Sequence, residues 1–112
     1  MAVYSNLTVD QGTDFSIAID VTDSSGTVLD LTGFTAKGQI RRSFNSSTAV
    51  DITCTVRAPA TDGILDISLT NAQTNAMKAG RYVYDVEITS SGGVKDRVLE
   101  GQIEVMPGVT QI

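Results

Sequence analysis

Apolar side chains recur at every second position through most of this chain. Phe15, Ile17, Ile19 and Val21 alternate with Ser16, Ala18, Asp20 and Thr22, and a period of two is that of a strand with one buried face. The same period runs through Phe34, Ala36, Gly38 and Ile40, then Val50, Ile52, Cys54 and Val56, then Leu65, Ile67 and Leu69. Tyr82, Tyr84, Val86 and Ile88 line one face of a further strand, and Leu99, Gly101, Ile103 and Val105 one face of the last. A short strand is also expected over Thr27 to Leu31. Turn-forming stretches separate these segments: Asp23-Ser24-Ser25-Gly26, Gly33, Asn45 to Thr48, a loop from Ala58 to Gly63 containing Pro59, and Ser90-Ser91-Gly92-Gly93. Pro107 stops the final strand.

One segment breaks the period. Thr70-Asn71-Ala72-Gln73 has the form of a capping box, in which the threonine hydroxyl accepts from the backbone three residues on while Gln73 reaches back. A helix of about two turns should follow, with Ala72, Ala76 and Met77 toward the core and Gly80 ending it in a left-handed conformation. In the hairpin beyond, a simple register sets Tyr82 opposite Gly101 and Tyr84 opposite Leu99, with Gly101 leaving room for a tyrosine ring. That register turns Lys95 and Arg97 inward near the tip, and a bulge near Val98 restores their parity.

Short strands punctuated by turns, with one helical connection, predict an all-β fold: an immunoglobulin-like antiparallel β-sandwich with one short helical crossover. Tyr82, just after the helical connection, matches the placement of the tyrosine corner of immunoglobulin folds. The 112 residues suit a single domain spanning 1–112 with short terminal arms. Its expected interior is Phe15, Ile17, Ile19, Ile40, Ile52, Cys54, Leu65, Ile67, Leu69, Tyr82, Tyr84, Val86, Leu99, Ile103 and Val105.

Charge and composition narrow the function by exclusion. The formal charge of −5 works against attraction to phosphate backbones, so nucleic acid is not an expected partner. No run approaches the ~20 apolar residues of a membrane span. The opening Met1-Ala2-Val3-Tyr4-Ser5 lacks the basic and apolar regions of a secretion signal, so synthesis in the cytoplasm is expected. The chain has no histidine, which removes the usual general base, the Ser-His and Cys-His pairs and the common imidazole metal ligand. Cys54 shares parity with Ile52 and Val56 and reads as a core thiol. Asp10 and Asp14 flank Gly12, and Asp20 and Asp23 lie near the next turn; such loop carboxylates can bind calcium, but their spacing matches no EF-hand loop, and they are expected as solvated turn residues. Gly92-Gly93 is a hairpin tip between strands rather than a phosphate cradle opening a helix. Arg41 and Arg42 are expected as cross-strand charge partners. No catalytic residue, metal ligand, cofactor or small-molecule substrate is therefore expected. A carbohydrate-binding surface would need an outward aromatic patch; the chain has no tryptophan, and Tyr4 and Phe44 are the only aromatics not assigned inward. A hydrolase would have to work with two surface carboxylates and is the weakest reading.

Several stretches together resemble a known family. They are Gly12 and Phe15 in an early polar-rich strand, Asp30-Leu31-Thr32-Gly33-Phe34-Thr35-Ala36 leading to Gln39-Ile40-Arg41, and Leu65, Ile67 and Leu69 ahead of the helical turn. Gly80-Arg81-Tyr82-Val83-Tyr84-Asp85-Val86 follows, then Arg97-Val98-Leu99-Glu100-Gly101 and Val105 to Val109. In order and spacing they resemble the small immunoglobulin-like domains of tailed-bacteriophage virion proteins, related to the N-terminal domain of phage baseplate upper proteins. The resemblance implies a virion structural protein of the tail or baseplate, or a decoration (cement) protein of the head. Its partners would be other virion proteins and copies of itself, assembled in the host cytoplasm. No receptor-binding or fibre-attachment role is carried over. The uncharged termini are the candidate assembly contacts: Ala2, Val3 and Tyr4 at one end, Val109, Thr110, Gln111 and Ile112 at the other.

Overall fold

The computed structural model describes residues 3–23 and 25–109. Its strands are β1 (Val3–Tyr4), β2 (Leu7–Asp10), β3 (Phe15–Asp20), β4 (Thr35–Arg41), β5 (Val50–Val56), β6 (Ile64–Leu69), β7 (Gly80–Thr89) and β8 (Lys95–Met106). A 3-10 turn at Ala60–Asp62 precedes β6, and the helix α1 (Asn71–Ala76) lies between β6 and β7. The strands follow one hydrogen-bonded path, β1-β8-β7-β4-β5-β6-β3, with β2 also on β8. The path curls at β5, whose first residues pair with β4 (Ile52 with Gly38) and whose later ones pair with β6 (Cys54 with Ile67). Inward side chains from both halves of the curl, such as Ile67, Leu65, Val86 and Ile103, join one core cluster.

The pairing is not antiparallel throughout. β1 and β2 run parallel to β8, Val3 beside Leu99 and Leu7 beside Ile103. A parallel neighbour must be reached by a long connection, and here nearly the whole chain intervenes. Val3 and Tyr4 are thus paired within the sheet, where the sequence suggested a short terminal arm beyond the core. The Thr27–Leu31 stretch is not a strand: it makes one isolated bridge, Thr22 to Val28. Asp23 Oδ1 accepts from the Ser25 and Thr27 backbone, Asp30 Oδ1 accepts from Thr32, and Leu31 N donates to Ala60 O. Side-chain turns at both ends leave too little extended backbone for a ladder, and Leu31 is buried as a single plug.

The capping box forms as read, Gln73 N donating to Thr70 Oγ1 and Thr70 N to Gln73 Oε1. The inward face of α1 differs from the expectation. Thr74 is fully buried, with Met77 beyond it, whereas Ala72 and Ala76 are exposed. Thr74 Oγ1 donates to Thr13 O at 2.8 Å and accepts from Gly12 N at 3.0 Å, while Asp14 accepts from Asn71 N. Hydrogen bonds to the β2–β3 turn, rather than apolar area, set the helix rotation. The helix ends at Met77 in extended backbone, and Gly80 opens β7.

Of the expected interior, Ile40, Ile52, Leu65, Ile67, Leu69, Tyr84, Val86, Leu99, Ile103 and Val105 are buried. Phe15, Ile17, Ile19, Cys54 and Tyr82 are half-buried against the same core. Val9 and Leu31 are also buried, outside the expectation.

Candidate interaction surface

The β7–β8 hairpin determines which side chains reach the outer face. Its register pairs Tyr82 with Ile103, Tyr84 with Gly101 and Val86 with Leu99, then shifts so that Glu87 meets Arg97 and Val98 is left over. The expected bulge at Val98 is present. The pairing slides two residues from the simple register: the tip, running from Ser90 to Val94 and closed by Ser90 N donating to Val94 O, accounts for one, and the bulge for the other. An even slide keeps every face. Beyond the bulge Arg97 falls on the outer side, where its Nε lies 3.3 Å from Asp85 Oδ2 and its Nη1 3.8 Å from Glu100 Oε1.

Gly101 lies opposite Tyr84 rather than Tyr82, and the Ser5 backbone is what crowds it. A Cβ there would collide with the Ser5 carbonyl, at φ +156, so the glycine admits the bend between β1 and β2 against β8. Tyr84 Oη donates to Ser5 O at 2.7 Å and Ser5 N to Glu100 O at 2.8 Å. Burial pushes the Tyr84 hydroxyl up to about 12, above the ~10 of an unfolded chain. The neutral hydroxyl is favoured in the folded state, so its contribution is whole below pH ~10 and is lost as pH rises through ~12. Denaturant titrations should show unfolding free energy falling more steeply over that interval than in Tyr84→Phe, which cannot ionise. Equal pH slopes for the two proteins would contradict this.

Because paired residues share a face, the registers place Tyr4, Glu100, Asp85 and Gln39 in one row across β1, β8, β7 and β4. The row floors an open groove of about 440 Å³ on the outer side of the sheet. Three strand spacings make it about 14 Å wide. Tyr4 stands on the β1 side, and Phe44, from the loop after β4, lines it too. Both are exposed, 64% and 85%. Arg41 Nη1 donates to Ser46 O at 2.6 Å and Nη2 to Gln39 Oε1 at 3.0 Å, and Gln39 Nε2 donates to Asp51 Oδ1 at 3.0 Å. Arg41 is therefore a groove residue, not the cross-strand ion pair expected of it. Among the described residues Arg42 has no carboxylate partner either: it lies 4.8 Å from the centre of the Tyr82 ring and packs over Gly80. The hydroxyl of Tyr82 donates to Lys78 O four residues upstream, the geometry of a tyrosine corner.

Of the candidate terminal contacts, Val3, Tyr4 and Val109 are exposed, Val3 by 59%. Ala2, Thr110, Gln111 and Ile112 lie outside the described residues. Val3 and Tyr4 part company: Tyr4 faces the groove, while Val3 borders a small cleft with Val98 and Ile19 to Thr22, where the two ends of the curled sheet approach each other. Cys54 is half-buried, with its thiol pushed up to about 11 by burial, so little thiolate is available near neutral pH. Among the described residues no three His, Cys, Asp or Glu side chains gather as a metal cluster. No helix among them is long and apolar enough to cross a membrane.

No known protein family matches the chain, and no curated protein does. Among solved structures it is similar to the filamin domain of Lin-41, with a TM-score of 0.54 and 17% identity over 90% of this chain and 84% of that one. It also matches a Listeria monocytogenes internalin-like protein at a TM-score of 0.45 and 11% identity, over 96% of this chain and 28% of that one. Neither neighbour is a phage protein. The chain is nearly all β, built on a curled sheet, and the filamin domain it resembles is immunoglobulin-like.

Proposed function

We propose that this chain is an immunoglobulin-like β-sandwich, with α1 as its crossover, that catalyses nothing and serves as a structural subunit of a bacteriophage virion. The curl at β5 and the Tyr82–Lys78 hydrogen bond support the sandwich reading. The order and spacing of the motifs from Asp30 to Val109 support the virion role, in the tail or baseplate, with head decoration as the other location. The observation that carries docking is β1. It ends the strand order, and it presents Val3 and Tyr4 largely exposed on an edge with no charge, proline or bulge. A two-residue strand is too short to template an added ladder, so the contact is made by the exposed Val3 and Tyr4 side chains, here with a neighbouring copy in a repeated array. Deleting residues 1–4 removes only the two-residue β1 from the edge of the sheet and should leave the core folded, as circular dichroism would check, while abolishing incorporation into particles; deleting 108–112 tests the other terminus. Unchanged incorporation after both deletions would refute docking through the termini.

A further inference from the structure

The outer-face groove shares Tyr4 with the β1 edge but differs from it in chemistry. It is floored by paired backbone, so it offers no open ladder for an added strand. Arg41 and Arg97 are interleaved with Asp85, Glu87 and Glu100, so it projects no single-sign field for a polyanion or polycation. Its apolar lining, Tyr4, Phe44, Val83 and part of Tyr84, is interrupted by Gln39, Asp85 and Glu100, so it forms no continuous stripe for an apolar helix. What remains is a polar floor with two exposed aromatic rings, at a volume usual for ligand sites.

We infer that this groove binds a short neutral oligosaccharide. A sugar ring has apolar C–H faces and a rim of hydroxyls, each both donor and acceptor. The Tyr4 and Phe44 rings supply flat apolar surfaces for the faces. Gln39 with Arg41, and Asp85 with Arg97 and Glu100, supply donors and acceptors side by side for neighbouring hydroxyls. Gln39 is held by Asp51 and Arg41 by Ser46 before any ligand arrives, which lowers the ordering cost of binding there, and Arg97 lies beside its two carboxylates. The Val98 bulge has a role here, since it brings Arg97 to the outer face. This inference does not rest on the virion reading.

The test uses the isolated full chain on an array of neutral glucose, galactose and N-acetylhexosamine oligosaccharides, followed by calorimetric titration with the strongest binder. Binding with Kd of about 1 mM or tighter is expected, nearly independent of salt because the ligand is uncharged. Phe44→Ala and Tyr4→Ala should each weaken it roughly tenfold with an unchanged melting temperature, as both rings are exposed. Phe44→Ala leaves β1 untouched, so it should lose sugar and keep incorporation into particles. Absence of glycan binding on the array and in saturation-transfer NMR would overturn the inference. So would binding undiminished by both substitutions, or a peptide found in the groove with no sugar bound.

Discussion

Gly101→Ala should detach the first strands from the sheet. The new Cβ would meet Ser5 O, with Ser5 C at 2.8 Å and Ser5 N at 3.2 Å; all three are backbone, so no side chain can swing aside. Either β8 distorts or the segment bearing β1 and β2 lifts away. The loss includes the bonds from Tyr84 Oη and to Glu100 O, each worth about 1 kcal/mol, and the backbone strain of a left-side φ, about 1–3 kcal/mol. A destabilisation of at least ~3 kcal/mol is expected in chemical denaturation, with amide exchange accelerated first at Leu7 to Asp10. Gly93→Ala is the control. Gly93 has φ +87 with nothing within 4 Å of an added Cβ, so only strain of about 1 kcal/mol applies. Equal costs at the two glycines would show that Ser5 does not pack as described.

Ile67→Ala should be the costliest single truncation in the core. Ile67 is 1% exposed and sits in β6 between Ile17 of β3 and Cys54 of β5, so no loop can collapse into the space it leaves. Removing it should cost about 2–5 kcal/mol through lost transfer energy and cavity, a large share of the 5–15 kcal/mol that holds an ordinary domain. Val94→Ala, exposed at the hairpin tip, should change stability by less than about 0.5 kcal/mol. Urea titrations of the two variants separate these outcomes.

The elements that could be read from residues are those whose signal is local. Period-two alternation located β3 to β8, and the capping box located α1, because both depend on neighbours in sequence. The Val98 bulge was legible for the same reason: Arg97 and Lys95 had the wrong parity for an inner face. Pairings set by distant residues were not legible. Nothing near Val3 or Leu7 indicates that their partners are Leu99 and Ile103, and the glycine that admits the bend at Ser5 lies at position 101. Thr74 turned inward against a pattern that favoured alanines because its hydroxyl bonds Gly12 and Thr13. The groove was the least visible feature. Tyr4 and Phe44 were recognisable as unassigned aromatics, but only the registers of β1, β8, β7 and β4 bring one surface between them.

Subunit docking in a virion is the central claim, and cryo-electron microscopy of the virions made by the source of this chain tests it most directly. The account predicts repeated copies of the chain in the tail, baseplate or head surface, each with the β1 edge against a neighbouring subunit. A map in which every repeating subunit belongs to another protein, while this chain stays in the cell lysate, would contradict it.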